Sequence, residues 1–446
     1  MHHLRRLKIL LPVLSLPLFL SLTISEGDEA LYAKTPLRAI TETSTLHPLS
    51  FSPILNWEKN VNATHYEIEF FREPPTDCYP DISSSEAAWR SKDVYASSYN
   101  PPLFLFAADL LGRAPLYWRV RALDFDGTPV SLFSALMPLY TSAAATPNIM
   151  TVPLPIASSE FTAPLLYPVY HWVRPYRAHA FEVALYAEEP TENPDAEPLD
   201  TMTTRLSEIY DQKPRSGSGF FYWRVRSLDE TGEPASDWSP VLKFRNDPED
   251  GWEIAVFGDS ISHGGGPISY GPADHEFSWL SYLDFPAINL SMSGDTSETM
   301  LDRFEADVLP FHPRYLLIMN GTNSLRAGVS AVEVIAALNE LKKRCLANDI
   351  RPIFLTLPPI NPENIARAFD EPTADDWQTQ FSLVNTFLRT EVHIDVAASF
   401  SAQPLLPTEL ALDGLHEDVL GKQLIAQTVN RAWQQAKQEA DQLPMQ

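Results

Sequence analysis

A repeated eight-residue sequence constrains the fold of this chain more than any other feature. Tyr117–Asp124 reads YWRVRALD and Tyr222–Asp229 reads YWRVRSLD, and both copies continue into a glycine turn. A repeat of this kind marks a structural unit that occurs more than once. The sequence therefore predicts two related modules before residue 247.

The segments upstream of the two copies also correspond. Trp57 precedes His65–Phe71, and Trp172 precedes Ala180–Tyr186. Both strand-like segments alternate apolar and polar residues, which is the period of a half-buried strand. Neither module shows a long helical pattern, and proline is frequent, with 39 in the chain. Short strands, proline-rich turns and an early tryptophan together predict two all-β sandwiches.

The early tryptophan and the YWRVR strand resemble those of fibronectin type III modules. The resemblance implies one β-sandwich at residues 36–145 and a second at residues 146–246. We expect the module tryptophans to pack in the cores rather than to stack on sugars; they are Trp57, Trp118, Trp172 and Trp223. Neither module gathers polar side chains that suggest chemistry. We expect the modules to act as spacers or to contact a polysaccharide or a cell surface.

Beyond the polar linker 246–251, short apolar runs alternate with helical periodicity. The predicted strands are 253–257, 287–290, 315–319, 352–357 and 392–396. The predicted helices are 329–347, 377–389 and 419–433. Strands that alternate with helices predict a parallel sheet covered on both faces, and therefore a three-layer α/β domain. Functional side chains are expected where its strands end.

The N-terminus is typical of an export signal. Basic residues precede the apolar stretch Ile9–Ile24, which is shorter than the roughly 20 residues that span a membrane. We interpret residues 1–25 as a signal peptide of a secreted or periplasmic protein that can associate with the cell surface; an uncleaved anchor is the alternative. The net charge of −25 disfavours nucleic acid as a partner. Cys78 and Cys345 fall in different predicted domains, so we expect two unpaired, mostly buried thiols.

Ser260 directly follows the first strand of the α/β domain, within Gly258-Asp-Ser260. A serine hydroxyl needs a base to act as a nucleophile at neutral pH. The sequence Asp413-Gly-Leu-His416, just before the last helix, offers His416 as that base and Asp413 as the group that orients the imidazole. These three residues are candidates for a catalytic triad.

Acyl transfer also needs hydrogen-bond donors for the oxyanion. Gly294 follows the second strand, where its amide can approach a substrate, and Asn323 follows the third strand with a side-chain amide. The backbone amide of Ser260 is a third candidate. Each motif alone is weak, because a serine after a strand is usually a helix cap and an asparagine in a turn is usually structural. Their placement at separate strand ends of one domain favours a catalytic role.

Over residues 252–440 the motifs resemble those of the SGNH/GDSL hydrolase family of esterases and lipases. The matching blocks are Phe257-Gly-Asp-Ser-Ile261, Asn289-Leu-Ser-Met-Ser-Gly294-Asp-Thr-Ser297, Gly321-Thr-Asn323 and Asp413-Gly-Leu-His416. The resemblance implies Ser260 as the nucleophile, with Asp413 and His416 completing the triad. It implies Gly294 and Asn323 as donors of the oxyanion hole, to which the backbone amide of Ser260 is the third candidate. It also implies a flavodoxin-like sheet and no metal or other cofactor.

Two positions depart from the family pattern, and two rival interpretations are weaker. Ser324 stands where family members often have Asp, which could change the support of Asn323, and Glu417 stands where Pro is common. The Gly-x-Ser-x-Gly pattern of α/β-hydrolases fails because position 262 is Ser. The histidines show no metal-ligand spacing. We interpret His263-Gly-Gly-Gly266 as a flexible loop beside the site.

The leading interpretation is a secreted serine esterase, a carboxylic ester hydrolase that removes O-acetyl groups from a carbohydrate through an acyl-enzyme. Its substrate would be an acylated glycan or small molecule. Export together with two β modules favours a glycan, although only by analogy of architecture. The second block also resembles lysophospholipase and thioesterase members, so lipid esters are the alternative. A further option is an adhesion or binding protein with an inert hydrolase domain.

Overall fold

The computed structural model describes residues 35–145, 152–156, 164–176, 178–193, 195–400 and 404–444. The predicted signal peptide at residues 1–25 lies outside these ranges. Among the described residues, no helix has both the length and the apolar character that a bilayer crossing requires.

The first β module consists of a four-stranded and a two-stranded antiparallel sheet that share one core. Its elements are the strands Leu55–Asn56 (β1), His65–Phe71 (β2), Trp89–Val94 (β3), Ser98–Tyr99 (β4), Leu116–Leu123 (β5) and Met137–Leu139 (β6), and the helix Leu103–Phe106 (α1). One sheet has the order β3-β2-β5-β6, and β1 pairs with β4. Leu55 and Trp118, one from each sheet, belong to the same buried cluster.

The second β module has the same plan. Its strands are Leu154–Ile156 (β7), Val169–Val173 (β8), Ala180–Tyr186 (β9), Asp200–Thr204 (β10), Glu208–Tyr210 (β11), Phe221–Leu228 (β12) and Leu242–Phe244 (β13). One sheet has the order β10-β9-β12-β13 and the other β11-β8-β7. Trp172 on β8 and Trp223 on β12 pack in one core, as expected for the module tryptophans. The N-terminal part of the protein is thus largely β-sheet.

The repeated sequence forms the equivalent strands β5 and β12. Its alternation of apolar residues and arginines places the apolar side chains in the core and the arginines on the outer face of each sheet. On β5, Trp118 is fully buried on the core side. Arg119 and Arg121 point to the opposite face, where their guanidinium carbons lie 4.0 and 4.4 Å from the ring centre of Phe133. The two arginines of the second copy lie over Trp238 in the same manner. The arginines therefore cover an aromatic side chain on the outer face of each sheet.

The C-terminal part folds as an α/β domain. Its strands are Ile254–Gly258 (β14), Ile288–Asn289 (β15), Tyr315–Met319 (β16), Arg351–Leu355 (β17) and His393–Ile394 (β18). Its helices are Ser260–His263 (α2), Ser297–Asp307 (α3), Thr322–Arg326 (α4), Ala331–Ala347 (α5), Pro362–Phe369 (α6), Trp377–Leu388 (α7) and Val419–Asp441 (α8). Short 3-10 helices span Pro248–Asp250, His275–Phe277, Trp279–Tyr282, Leu309–Phe311 and Ala397–Phe400.

The strands of this domain form a parallel sheet in the order β15-β14-β16-β17-β18. β14 and β16 are buried throughout, which is why both read as continuous apolar runs in the sequence. The five predicted strands and the three predicted helices are all present, and α8 runs on to Asp441, beyond the predicted end at residue 433. The parallel sheet with helices between its strands is the α/β architecture expected for this part of the chain.

A segment of the second module joins the edge of this sheet. Leu166 N donates to Asn289 O at 2.9 Å, and Asn289 N donates to Pro164 O at 3.0 Å, so the segment runs parallel to β15. Leu166 and Tyr167 are buried in the core of the α/β domain. The second module and the α/β domain therefore share backbone pairing and a core at the edge that carries β15.

Both cysteines are unpaired, as expected, but they differ in exposure. Cys345 is buried on α5, where burial raises its thiol pKa. Cys78 is exposed, so the expectation of two buried thiols is wrong for this residue. Cys78 lies in a surface loop between β2 and β3, where no apolar pattern determines its burial.

Candidate active site

Ser260 begins a short helix immediately after β14. The Asp259 side chain caps this helix by accepting from Ile261 N at 3.0 Å. Gly258, at the strand end, has no room for a side chain, because a Cβ atom there would lie 2.8 Å from the backbone oxygen of Met319. The Gly-Asp-Ser sequence is thus explained by a tight strand-to-helix turn that presents Ser260 at the carboxyl end of the sheet.

His416 lies between the two other candidate triad residues. Its Nε2 is 2.8 Å from Ser260 Oγ, and its Nδ1 is 2.7 Å from Asp413 Oδ2. Asp413 is fully buried, and its Oδ1 also accepts from the backbone nitrogens of Leu415 and His416 at 2.8 and 2.7 Å. These bonds fix the carboxylate, and the carboxylate in turn orients the imidazole with its Nε2 towards Ser260.

The loop that holds Asp413 and His416 depends on a glycine. Gly414 has φ 77°, and a Cβ atom at this position would lie 2.4 Å from the backbone oxygen of Asn361. A larger residue here would be strained and would also clash. The close approach of this loop to the start of α6 therefore requires glycine between the two candidate catalytic residues.

The candidate oxyanion donors come from the loops after β15 and β16. Gly294 has φ 90° and open space around its Cα, so a substrate can approach its amide. The Asn323 side-chain nitrogen donates to Asp295 O at 2.9 Å, which uses one of its two hydrogens. Ser260, Gly294 and Asn323 all line one cavity. The structure thus brings Gly294 and Asn323 together beside Ser260, which is both the candidate nucleophile and the third predicted donor.

Arg303 on α3 forms hydrogen bonds to the loop after β15 and to the carboxyl end of β14. It donates from Nε to Asp295 Oδ2 at 2.6 Å, from Nη1 to Leu290 O at 2.6 Å and from Nη2 to Gly258 O at 3.2 Å. Ser324, at the position where the family often has Asp, accepts from Ser297 N at 2.9 Å through its hydroxyl. The substitution therefore still ties α4 to α3 and supports Asn323 indirectly.

The cavity has a volume of about 320 Å³ and contains Ser260 and His416. Its wall also includes residues that the sequence did not single out, namely Tyr210, Tyr270, Arg326, Phe369 and Glu371. Arg326 is the nearest of these to a motif, and its spacing of one helical turn from Asn323 is the signal that could have identified it. Nothing in the local sequence distinguishes Tyr210, which comes from the second β module.

The interpretation of His263 as part of a flexible loop is wrong. It ends helix α2 and is 1% exposed, whereas Gly264, Gly265 and Gly266 line the cavity as loop residues. Its Nδ1 is 2.8 Å from Ser293 Oγ and its Nε2 is 2.8 Å from Tyr167 O. Burial lowers the pKa of His263 to about 4, so the ring is neutral at physiological pH.

Several carboxyl groups around the site are buried as well. Burial raises the pKa of Asp259 to about 7 and raises that of Glu417, which stands where Pro is common after the candidate catalytic His. Lys422 lies beneath the site and donates to Ile261 O at 3.0 Å. Glu417 and Lys422 are both completely buried, 3.4 Å apart. The layer of residues packed beneath Ser260 and His416 therefore contains a buried carboxyl group and a buried ammonium group in contact with each other.

The arrangement can perform nucleophilic acyl transfer. A hydroxyl within hydrogen-bond reach of an imidazole, which a buried carboxylate orients, is an activated nucleophile. The neighbouring amide groups can stabilise negative charge on an attacked carbonyl oxygen.

Comparisons with known proteins agree with this chemistry for the C-terminal part. Residues 256–424 match the family described as GDSL-like lipase/acylhydrolase. No curated protein matches the sequence.

Among solved structures, a GDSL-like lipase from Bacteroides thetaiotaomicron is 17% identical, with a TM-score of 0.34 over 42% of this chain and 90% of its own. A lipase/acylhydrolase from Enterococcus faecalis is 20% identical, with a TM-score of 0.33 over 43% of this chain and 97% of its own. A variant of the acetyl-xylooligosaccharide esterase Axe2 from Geobacillus is 22% identical, with a TM-score of 0.31 over 41% of this chain and 93% of its own. These likenesses by themselves assign no substrate. On the family match, residues 256–424 of this chain form a GDSL-like lipase/acylhydrolase domain.

Proposed function

We propose that this protein is an exported serine esterase that removes O-acetyl groups from a carbohydrate. The observation that carries the proposal is the position of His416, whose ring nitrogens lie 2.8 Å from Ser260 Oγ and 2.7 Å from Asp413 Oδ2. The family match of residues 256–424 supports ester hydrolysis as the reaction class.

In the proposed mechanism, Ser260 Oγ attacks the ester carbonyl while His416 accepts its proton. The negative charge on the carbonyl oxygen is stabilised by the Ser260 and Gly294 amides and by the remaining hydrogen of the Asn323 amide. His416 then gives the proton to the departing alcohol, which leaves an acyl-enzyme. Water, deprotonated by His416, attacks the acyl-enzyme and releases the carboxylic acid and Ser260.

The walls of the cavity support a small acyl group on a hydroxylated carrier. A volume of about 320 Å³ lies at the lower end of ordinary ligand pockets. Tyr210 and Phe369 add aromatic side chains to the wall, while Arg326 and Glu371 add planar polar groups. Mixed aromatic and planar polar walls suit a sugar, which has both C–H faces and hydroxyl edges.

A lysophospholipase or thioesterase activity on lipid esters is the second candidate. Ile268 favours it, because this residue lines the cavity and is 49% exposed. An apolar residue at the mouth could lie against an acyl chain that extends from the cavity.

Kinetics on p-nitrophenyl esters from acetyl to long acyl chains would test the proposal. We expect Ser260-dependent turnover that falls as the acyl chain lengthens; a rise with chain length would favour lipid esters. Ser260→Ala should remove the activity, and Ser382→Ala, at an exposed position on α7, is the matched control. If no ester is turned over in a Ser260-dependent manner, the esterase proposal is wrong and the alternative of a binding protein with an inert hydrolase domain is favoured.

The N-terminal regions have proposed roles as well. Residues 1–25 would direct export and be removed, which N-terminal sequencing of the secreted or periplasmic protein tests. The two β modules, at residues 36–145 and 146–246, would be fibronectin type III-like. Their outer surfaces would be free to contact a polysaccharide or a cell surface, and pull-down of the Ser260→Ala protein on insoluble glycans would detect this.

A further inference from the structure

The second β module reaches into the candidate active site. Tyr210 on β11 lines the catalytic cavity, and its ring centre lies 6.2 Å from that of His263 in an edge-on contact. Its neighbour Glu208 packs against Gly271, where an added Cβ would lie 2.7 Å from the Glu208 carboxyl oxygen. The module and the loop that includes Gly271 are therefore in close contact.

The first β module holds the other side of the same loop. Lys59 forms ion pairs with Asp274 and, at 2.6 Å, with Glu276. The hydroxyl of Tyr270, a residue of the cavity wall, bonds to the hydroxyl of Tyr66 in the core of the module. Part of the cavity wall is thus positioned by both modules.

Hydrogen bonding determines which tautomer His263 adopts. The backbone oxygen of Tyr167 can only accept, so His263 Nε2 carries the hydrogen of their 2.8 Å bond. In a neutral imidazole Nδ1 then has no hydrogen and accepts from the Ser293 hydroxyl at 2.8 Å. Ser293 consequently donates its hydroxyl hydrogen away from any ligand.

This orientation leaves Ser293 with acceptor capacity alone. Ser293 lines the cavity and directly precedes Gly294, a candidate oxyanion donor. Any substrate group that bonds to the Ser293 hydroxyl must therefore be a donor, and it must lie close to the ester carbonyl that Gly294 would bind. A free hydroxyl beside the ester is such a group.

We propose that Ser293 selects esters that carry a free hydroxyl next to the acyl group, and that the second β module sets this preference through Tyr167 and His263. The substrate class is a partially acylated polyol or sugar. The proposal rests on the esterase function proposed above. His263 acts as a positioning residue, since it contacts Ser293 rather than the substrate.

Two acetate esters of glycerol test the role of Ser293. The compound 1-O-acetylglycerol has a free hydroxyl beside its ester, and glycerol triacetate has none. We expect Ser293→Ala to lower kcat/KM for 1-O-acetylglycerol about tenfold more than for the triacetate, the loss that one hydrogen bond accounts for. Equal losses on both esters, or none, would overturn the proposal. Ser382→Ala should keep the wild-type ratio.

Substitutions of His263 test the role of the module. His263→Gln keeps one N–H donor and one carbonyl acceptor, so the preference for 1-O-acetylglycerol should persist. His263→Leu has neither group, so the Ser293 hydroxyl is no longer held with its hydrogen turned away from the substrate, and the preference should shrink towards that of Ser293→Ala. If that protein does not fold, His263→Asn, which is too short to span both partners, replaces it. If the variant without the His263 hydrogen bonds keeps the wild-type ratio of kcat/KM values for the two glycerol esters, the proposed role of the module is wrong.

The two proposals fail in distinguishable ways. If wild-type protein hydrolyses neither glycerol ester nor p-nitrophenyl acetate, the proposed esterase function is wrong. If it hydrolyses them and Ser293→Ala leaves the ratio of kcat/KM values unchanged, only the selection by Ser293 is wrong.

Discussion

The side-chain amide of Asn323 donates to the backbone oxygen of Asp295 at 2.9 Å. This bond joins the loop after β16 to the loop after β15, and it fixes the amide plane beside Gly294. One amide hydrogen remains for a substrate, and its direction is set before substrate binds. Such preorganised donors stabilise an oxyanion without reorganisation during the reaction.

Asn323→Ala is expected to lower kcat about 10²- to 10³-fold while KM changes little, because the lost bond forms mainly in the transition state. Steady-state kinetics on p-nitrophenyl acetate would measure this. Asn339→Ala removes an exposed asparagine on α5 and should leave kcat unchanged. A change confined to KM would mean that Asn323 binds the ground state instead.

Asp413→Asn should lower kcat by about 10⁴-fold, since an amide in this position can present a donor to His416 and favour the wrong tautomer. The fold should survive, because Asn is close to Asp in shape. Asp418→Asn is the control, at a buried carboxyl in the same loop that accepts from Leu412 N at 2.9 Å. Near-wild-type kcat in Asp413→Asn would remove Asp413 from the mechanism.

Arg303→Gln is expected to destabilise the fold by about 3–5 kcal/mol, since it leaves the buried Asp295 and Asp307 carboxylates without their cation. Arg303→Lys keeps the charge but loses the planar fork, so we expect a smaller loss of stability and a lower kcat. Urea unfolding and kinetics would measure both effects. Arg314→Gln, at an exposed ion pair with Asp441, should change stability little.

The buried carboxyl of Asp259 should make stability depend on pH. An acid whose pKa rises on folding, here to about 7, favours the folded state below the ordinary pKa of aspartate and loses that contribution as pH rises towards 7. The charged groups that act on it are His416, which lowers its pKa, and Asp295 and Glu417, which raise it. Burial is the largest cause of the shift.

Asp259→Asn keeps an oxygen acceptor for the helix cap and cannot ionise. Between pH 4 and pH 8 the free energy of unfolding of the wild type should fall by roughly 4 kcal/mol relative to this variant. Urea unfolding of both proteins across this range would measure the difference, in which the other titrating groups largely cancel. Parallel curves would show that Asp259 is already ionised, or already neutral, throughout.

The α/β fold and its candidate catalytic residues were largely predictable from the sequence. Buried parallel strands require continuous apolar runs, and β16 was predicted over the residues Tyr315–Met319 that form it. The candidate triad and oxyanion residues carry recognisable motifs because the turns that hold them need particular residues, such as Gly258 and Gly414. These are local constraints, so they appear in the local sequence.

Only the tertiary structure revealed what surrounds these residues. Nothing in the local sequence points to the contacts of Tyr210, Tyr167 and His263, and the bond between Tyr167 and His263 joins positions 96 residues apart. Their contacts follow from how the second β module packs against the edge of the sheet, which depends on shape complementarity over many residues. The sequence by itself therefore determined the candidate nucleophile, base and oxyanion donors, because they stand in short motifs beside glycines that the turns require. Packing between domains decided which groups form the walls of the cavity.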